Sequence, residues 1–236
     1  MKPLTAAPIL PPMSSIGLWL ICAGVPLLFG LWAQMRVKRT FARYSQVAPR
    51  NGMNGAQAAA AVLQSSGLPN LQIKPVAGRL TDHYDPRNRT LNLSQDVGQA
   101  TSLAALGVAA HEAGHAIQDA RGYRPMRIRQ TLVPVATFGQ SIWILPVFAG
   151  LILGLTGLTT IGLVLFAAVV LFQLVTLPVE FDASKRALVA LEQQGLLVGD
   201  EIGGARAVLN AAALTYVAGF VASLGQLIYF FLISRD

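Results

Sequence analysis

Three strongly apolar stretches of this chain contain no Asp, Glu, Lys, Arg or His: residues 16–35, 130–179 and 207–234. A bilayer core requires about 20 apolar residues per helix, so the first and last stretches each suit one span. The 50-residue middle stretch suits two spans joined by a turn near residues 154–160. The expected fold is an α-helical integral membrane protein with four transmembrane helices, at 16–35, within 130–179 (two) and at 207–234. Composition agrees: 53% of residues are hydrophobic and 12% charged, against roughly a quarter charged in soluble domains. That excludes disorder and most soluble enzyme classes. The first run is too long for the apolar region of a signal peptide, lacks a basic leader and is followed by no clear A-x-A site, so it reads as a retained anchor.

Charge placement gives the orientation. Of 18 basic residues, 13 lie between Arg36 and Arg129, and Lys185, Arg186 and Arg206 lie in the second polar segment. Only Lys2 and Arg235 fall on the other side. The positive-inside rule therefore places residues 1–15 outside, and the polar segments 36–129 and 180–206 in the cytoplasm. The net charge of +7 is then mainly a topology signal. Arg36, Lys38, Arg39 and Arg43 can also meet anionic headgroups, but no basic surface interleaved with aromatics points to nucleic acid. The single cysteine, Cys22, sits in the first apolar run, which excludes disulfides and a cysteine zinc site and makes it a packing residue.

The larger polar segment reads as a small α+β insertion. Residues 55–66 form an Ala-rich helix closed by Gly67 and Pro69. Strand fragments are expected at 71–73, 79–81 and 90–93, with Asp85-Pro86-Arg87-Asn88 as the turn of a hairpin. Ser94 can cap a short helix through Val97, and Thr101 or Ser102 a longer one running to about Ala120 before Gly122.

That longer helix carries His111-Glu112-Ala113-Gly114-His115. Residues four apart on a helix share a face, so both imidazoles can meet one zinc ion, with Glu112 beside them as candidate general base for a water at the open position. With three His and four Glu in 236 residues, a chance occurrence of H-E-x-x-H is on the order of one in a thousand. Gly114 costs the helix about 1 kcal/mol relative to Ala, which is better explained by a need for space than by folding.

A catalytic zinc takes a third protein ligand and keeps its fourth position open. His83, Asp82, Asp85, Asp119, Glu180 and Asp182 are the candidates. Two membrane crossings return the chain to the side of the His helix, and Glu180 is the first charge to emerge. For the oxyanion, His83 or Tyr84 on the hairpin, Arg186 and Tyr216 are candidates. The hairpin could also offer an edge strand to an extended peptide. Turn chemistry alone accounts for Asp82, Asp85 and Pro86, and Arg186 and Tyr216 also fit boundary or packing roles.

The segments HEAGHAIQ, LTDHYDPRNRTLNLS, LPVEFDASKRAL and NAAALTYVA together resemble the YugP-type bacterial membrane metallopeptidases, the neutral zinc metallopeptidases. More distantly, an HExxH helix followed by a glutamate at the end of a span resembles the HtpX and CAAX-prenyl-protease gluzincins. The resemblance covers nearly the whole chain and implies a zincin-like site, one Zn2+ per chain, and Glu180 as third ligand. The distant group has an acidic residue four after that glutamate, where this chain has Ser184. Asp182, Asp119 or a backbone carbonyl is left to support a ligand histidine. The expected protein is an inner-membrane zinc endopeptidase acting at the cytoplasmic face on unfolded or membrane-linked polypeptides, with room for membrane protein partners. The alternative is a non-catalytic membrane scaffold or assembly factor with a structural zinc.

Overall fold

The computed structural model describes residues 15–235; the expected extracytoplasmic N-terminus at 1–15 lies, apart from Ser15, outside the described residues. The first apolar run is helical as α1 (Ser15–Trp19), a π turn (Leu20–Gly24) and α2 (Val25–Tyr44). Together they give a span candidate of 29 residues, Ile16–Tyr44.

The polar insertion follows. α3 (Gly55–Ser65) begins at a capping box, in which Asn54 and Gln57 each bond the other's backbone N–H, satisfying two otherwise orphaned donors. β1 (Gln72–Val76), β2 (His83–Asp85) and β3 (Thr90–Ser94) form one sheet in the order β1-β3-β2. β2 and β3 are the expected hairpin across the Asp85–Asn88 turn, whose Asp85 carboxylate accepts the N–H groups of Arg87 and Asn88. β1 instead runs parallel to β3. The expected strand at 79–81 is not formed, and the strand lies at 83–85. Gly78 and Leu80 have positive φ and Thr81 Oγ1 folds back onto Ala77 O, a conformation that cannot pair in a ladder.

α4 (Gln95–Gly98) is a single turn, and α5 (Leu103–Ala120) is the expected His helix, capped by Ser102 Oγ accepting from Ala105 N. Ser94 starts α4 without a side-chain cap because its hydroxyl donates to Asp82.

α6 (Arg124–Ile142) and α7 (Ile144–Leu153) are one apolar stretch bent by 40°. Pro146 has no N–H and its ring clashes with the carbonyl four residues back, which accounts for a break at this point. Gly154 in the left-handed region turns the chain into α8 (Thr156–Gln193), and α9 (Asp200–Ile233) closes the fold. Among the described residues three helices are long and apolar enough to cross a membrane, or four spans if the bent pair counts as one. α8 does not stop at the apolar boundary. It runs through Glu180 for three further turns, and α9 starts seven residues before the last charge-free run.

Two cores result. One joins α3, the sheet, α5 and the polar ends of α8 and α9 through Leu63, Leu91, Leu106, Leu191 and Ala205. The other lies among α7, α8 and α9 around Trp143, Phe166 and Phe230, with Trp143 stacked on Phe166 at 4.1 Å. The first core holds α5 against α8, and that contact builds the site.

Candidate metal centre

On α5, His111, Gly114, His115 and Gln118 follow the i, i+3, i+4, i+7 spacing of one helical stripe. The stripe faces α8. A Cβ on Gly114 would stand 2.6 Å from Ala183 O, far inside ordinary contact, so only glycine lets the helices approach this closely. The space that the sequence demands at Gly114 is taken by the backbone of α8.

At this crossing three ligand atoms converge. His111 Nε2 is 3.2 Å and His115 Nε2 3.6 Å from Glu180 Oε2, and the three atoms lie within 4.8 Å of one another. Bonds of about 2.0 to 2.1 Å at tetrahedral angles separate ligand atoms by roughly 3.3 Å, so the spacing suits a zinc-sized ion. The donor set, two imidazole nitrogens and one carboxylate oxygen, is one that catalytic zinc takes. Glu180 is 2% exposed, and an isolated carboxylate buried to that degree would be costly without a cation or donors.

The outer nitrogens of both imidazoles are occupied. His111 Nδ1 meets Ser184 Oγ at 3.0 Å and His115 Nδ1 meets Gln118 Oε1 at 3.0 Å. With Nδ1–H donating in each case, both Nε2 lone pairs face Glu180. The partner of His111 is therefore Ser184 itself, and neither Asp182, Asp119 nor a backbone carbonyl takes that place. Gln118 escaped the sequence reading; its signal was a lone amide on the apolar face of the helix, three residues after a ligand histidine.

Glu112 is half-buried beside the ligand atoms, and its Oε2 accepts the Tyr84 backbone N–H at 3.1 Å. Burial pushes its carboxyl pKa upward against the pull of His111 and His115.

The remaining predicted residues divide. Tyr216 on α9 lies near enough to Glu180 and Glu112 for both carboxylates to act on its hydroxyl. Tyr84 supplies its backbone to the site, but its side chain is buried and the hydroxyl donates to Asp119 at 2.9 Å; burial and that carboxylate raise its pKa. His83 is exposed on the sheet and engaged with Thr81 O and Asn92. Asp82 accepts from Ser94 and Asp85 holds its turn. Asp182 accepts from Gln118 Nε2 at 2.8 Å and Arg186 Nε at 2.5 Å, and the Arg186 guanidinium lies over the Tyr123 ring. One cation was not singled out in the sequence: Arg129 Nη2 lies 4.0 Å from Glu180 Oε1, and its buried Nε has no protein partner.

A family model described as "Putative neutral zinc metallopeptidase" matches residues 19–235. A relative from Bacillus subtilis (strain 168), named "Putative membrane protease YugP", is 42% identical over 222 residues, covering 93% of this chain and 98% of the relative. No solved structure matches the chain. The match runs through both polar segments and every apolar run, so the chain as a whole, and not the histidine helix alone, belongs to the neutral zinc metallopeptidase family.

Proposed function

We propose that this protein is a membrane-embedded, zinc-dependent endopeptidase that hydrolyses peptide bonds at the cytoplasmic face of the bacterial inner membrane. The observation that carries the reading is the meeting of His111 Nε2, His115 Nε2 and Glu180 Oε2 within 4.8 Å, with the Glu112 carboxylate next to them. His111, His115 and Glu180 would hold one Zn2+, which when bound supplies Lewis acidity for the scissile carbonyl and lowers the pKa of water at the open position.

The chain's own residues do the rest. Glu112 takes the proton from the attacking water and delivers it to the leaving amine nitrogen, which its upward-shifted carboxyl suits. The Tyr84 N–H bond orients that carboxylate. Tyr216 is the best-placed of the oxyanion candidates, since Arg186 is held by Asp182 and the Tyr84 hydroxyl by Asp119. Substrates would be unfolded or membrane-linked polypeptides, and the concentration of basic residues in 36–129 supports a cytoplasmic site.

The scaffold alternative needs a closed structural centre with four protein ligands. Among the described residues the group of potential ligands comprises three, and an adjacent carboxylate that coordinates nothing is what hydrolysis requires. Glu112→Gln decides between them: the variant should bind zinc as the wild type does and lose hydrolysis of an unfolded protein such as casein. Undiminished turnover would reject the general-base role, and a wild type free of both zinc and activity would reject the peptidase reading.

A further inference from the structure

Gln118 has no exposed surface, and its amide is fully committed. Nε2 donates to Val179 O and to Asp182 Oδ2, both at 2.8 Å. Oε1 faces His115 Nδ1 at 3.0 Å. A carbonyl and a carboxylate that receives Arg186 can only accept here, so the amide nitrogen has to face them, and the amide oxygen has to face His115. An oxygen can only accept. His115 must therefore carry its proton on Nδ1, which leaves the Nε2 lone pair toward Glu180.

The two acceptors on α8 are also informative. Val179 precedes Glu180 and Asp182 follows it by two, so one amide ties the ligand on α5 to the helical turn that carries the ligand on α8. Gly114 brings the two backbones together at this level.

We propose that Gln118 is the positioning residue of the metal centre: a directional clamp that sets the tautomer of His115 and fixes its distance from Glu180. This rests on the zinc reading given above. The proposal differs from a simple acceptor role in one consequence. If His115 needed only an acceptor, Gln118→Glu would serve at least as well, because a carboxylate accepts the imidazole N–H more strongly. As a clamp it cannot serve, since an ionised carboxylate has no N–H for Val179 O and would face the Asp182 carboxylate at the distance where the amide now donates.

The test uses the full chain in detergent. Zinc affinity is measured by competition with a chromophoric chelator, unfolding temperature is measured in EDTA, and the visible d–d spectrum is recorded after Co2+ loading. Gln118→Leu should lower zinc affinity about 10 to 100-fold, and Gln118→Glu should lower it at least as far. Both should change the Co2+ spectrum. Gln118→Glu with wild-type or tighter zinc binding would overturn the clamp, leaving Gln118 an ordinary acceptor. Wild-type zinc affinity and an unaltered Co2+ spectrum in Gln118→Leu, with only the EDTA unfolding temperature lowered, would overturn it as well, because a purely structural amide stabilises the fold without favouring the metal. Wild type and Glu112→Gln are measured alongside: if neither binds zinc, the metal reading and the clamp fall together, whereas if both bind and the Gln118 variants bind equally well, the clamp alone falls.

Discussion

Replacing Gly114 by alanine separates the metal centre from the stability of its helix. In isolation the change favours α5 by about 1 kcal/mol, because glycine in a helix interior carries that cost. In the folded chain the new Cβ would meet Ala183 O at 2.6 Å, Ala183 C at 3.1 Å and Ala183 Cα at 3.2 Å. All three are backbone atoms of α8 and cannot swing aside as a side-chain tip would. Restoring ordinary contact at roughly 3.4 to 3.5 Å requires the helices to part by about 0.8 Å locally. Overpacking of this kind costs about 1 to 3 kcal/mol, so the net effect on stability runs from near zero to a loss of about 2 kcal/mol.

The effect on metal is larger in proportion, because coordination distances tolerate only about 0.2 Å. His111 and His115 move with α5 while Glu180 stays with α8, and the Ser184 and Gln118 bonds stretch across the same gap. Zinc affinity should fall on the order of 10 to 100-fold. Unfolding temperature in EDTA should change far less than the stabilisation conferred by added zinc. The assay is chelator competition together with thermal unfolding with and without zinc. A Gly114→Ala protein that gains stability and keeps wild-type zinc affinity would refute both the close crossing and its role in the centre.

Glu180→Ala should sharply weaken zinc binding and remove activity, whereas Asp182→Ala, which removes an acceptor shared by Gln118 and Arg186, should cost about 10 to 100-fold in affinity or rate; equal, small effects in isotope-dilution or chelator assays would contradict the ligand assignment. His111→Ala and His115→Ala should each abolish stoichiometric zinc, read by metal analysis of the purified protein. Glu201, buried at the start of α9, accepts Arg50 N–H at 2.6 Å and Val198 N–H at 3.0 Å, so Glu201→Ala should destabilise the fold by about 1.5 to 3 kcal/mol while leaving the zinc affinity of the folded protein unchanged. A reporter fused after Asp236 should behave as extracytoplasmic and one inserted near Asn51 as cytoplasmic; the opposite pair of results would invert the compartment of the site without moving any ligand.

Some of this protein is written in local sequence. Runs free of charge mark apolar helices because the cost of a charge in hydrocarbon is paid residue by residue. His111 and His115 share a face because four residues are close to one helical turn, and Ser102, Asn54 and Gly154 end or start elements through bonds and dihedral preferences that reach only a few positions. The turn at Asp85–Asn88 is legible for the same reason. The strand at 83–85 lies four residues beyond where the local pattern points, because short polar strands carry little periodicity and their register is set by β3.

The crossing of α5 and α8 is a different kind of information. Glu180 follows His115 by 65 positions, and no spacing rule connects them; they meet because two apolar passes return α8 to the same core and Gly114 lets its backbone come within reach. Ser184, which by residue type looked like the loss of a supporting acid, bonds His111 because it stands one turn after Glu180 on the face that α5 covers. Gln118 is a lone amide on the apolar face of its helix, and its role emerges only from Val179 and Asp182 opposite it. The sequence by itself determined the long apolar helices, the histidine helix and the chemistry available to it, since these depend on neighbours along the chain. Only the tertiary structure decided which distant side chains complete the centre, because that depends on how closely, and at which level, two helices pack.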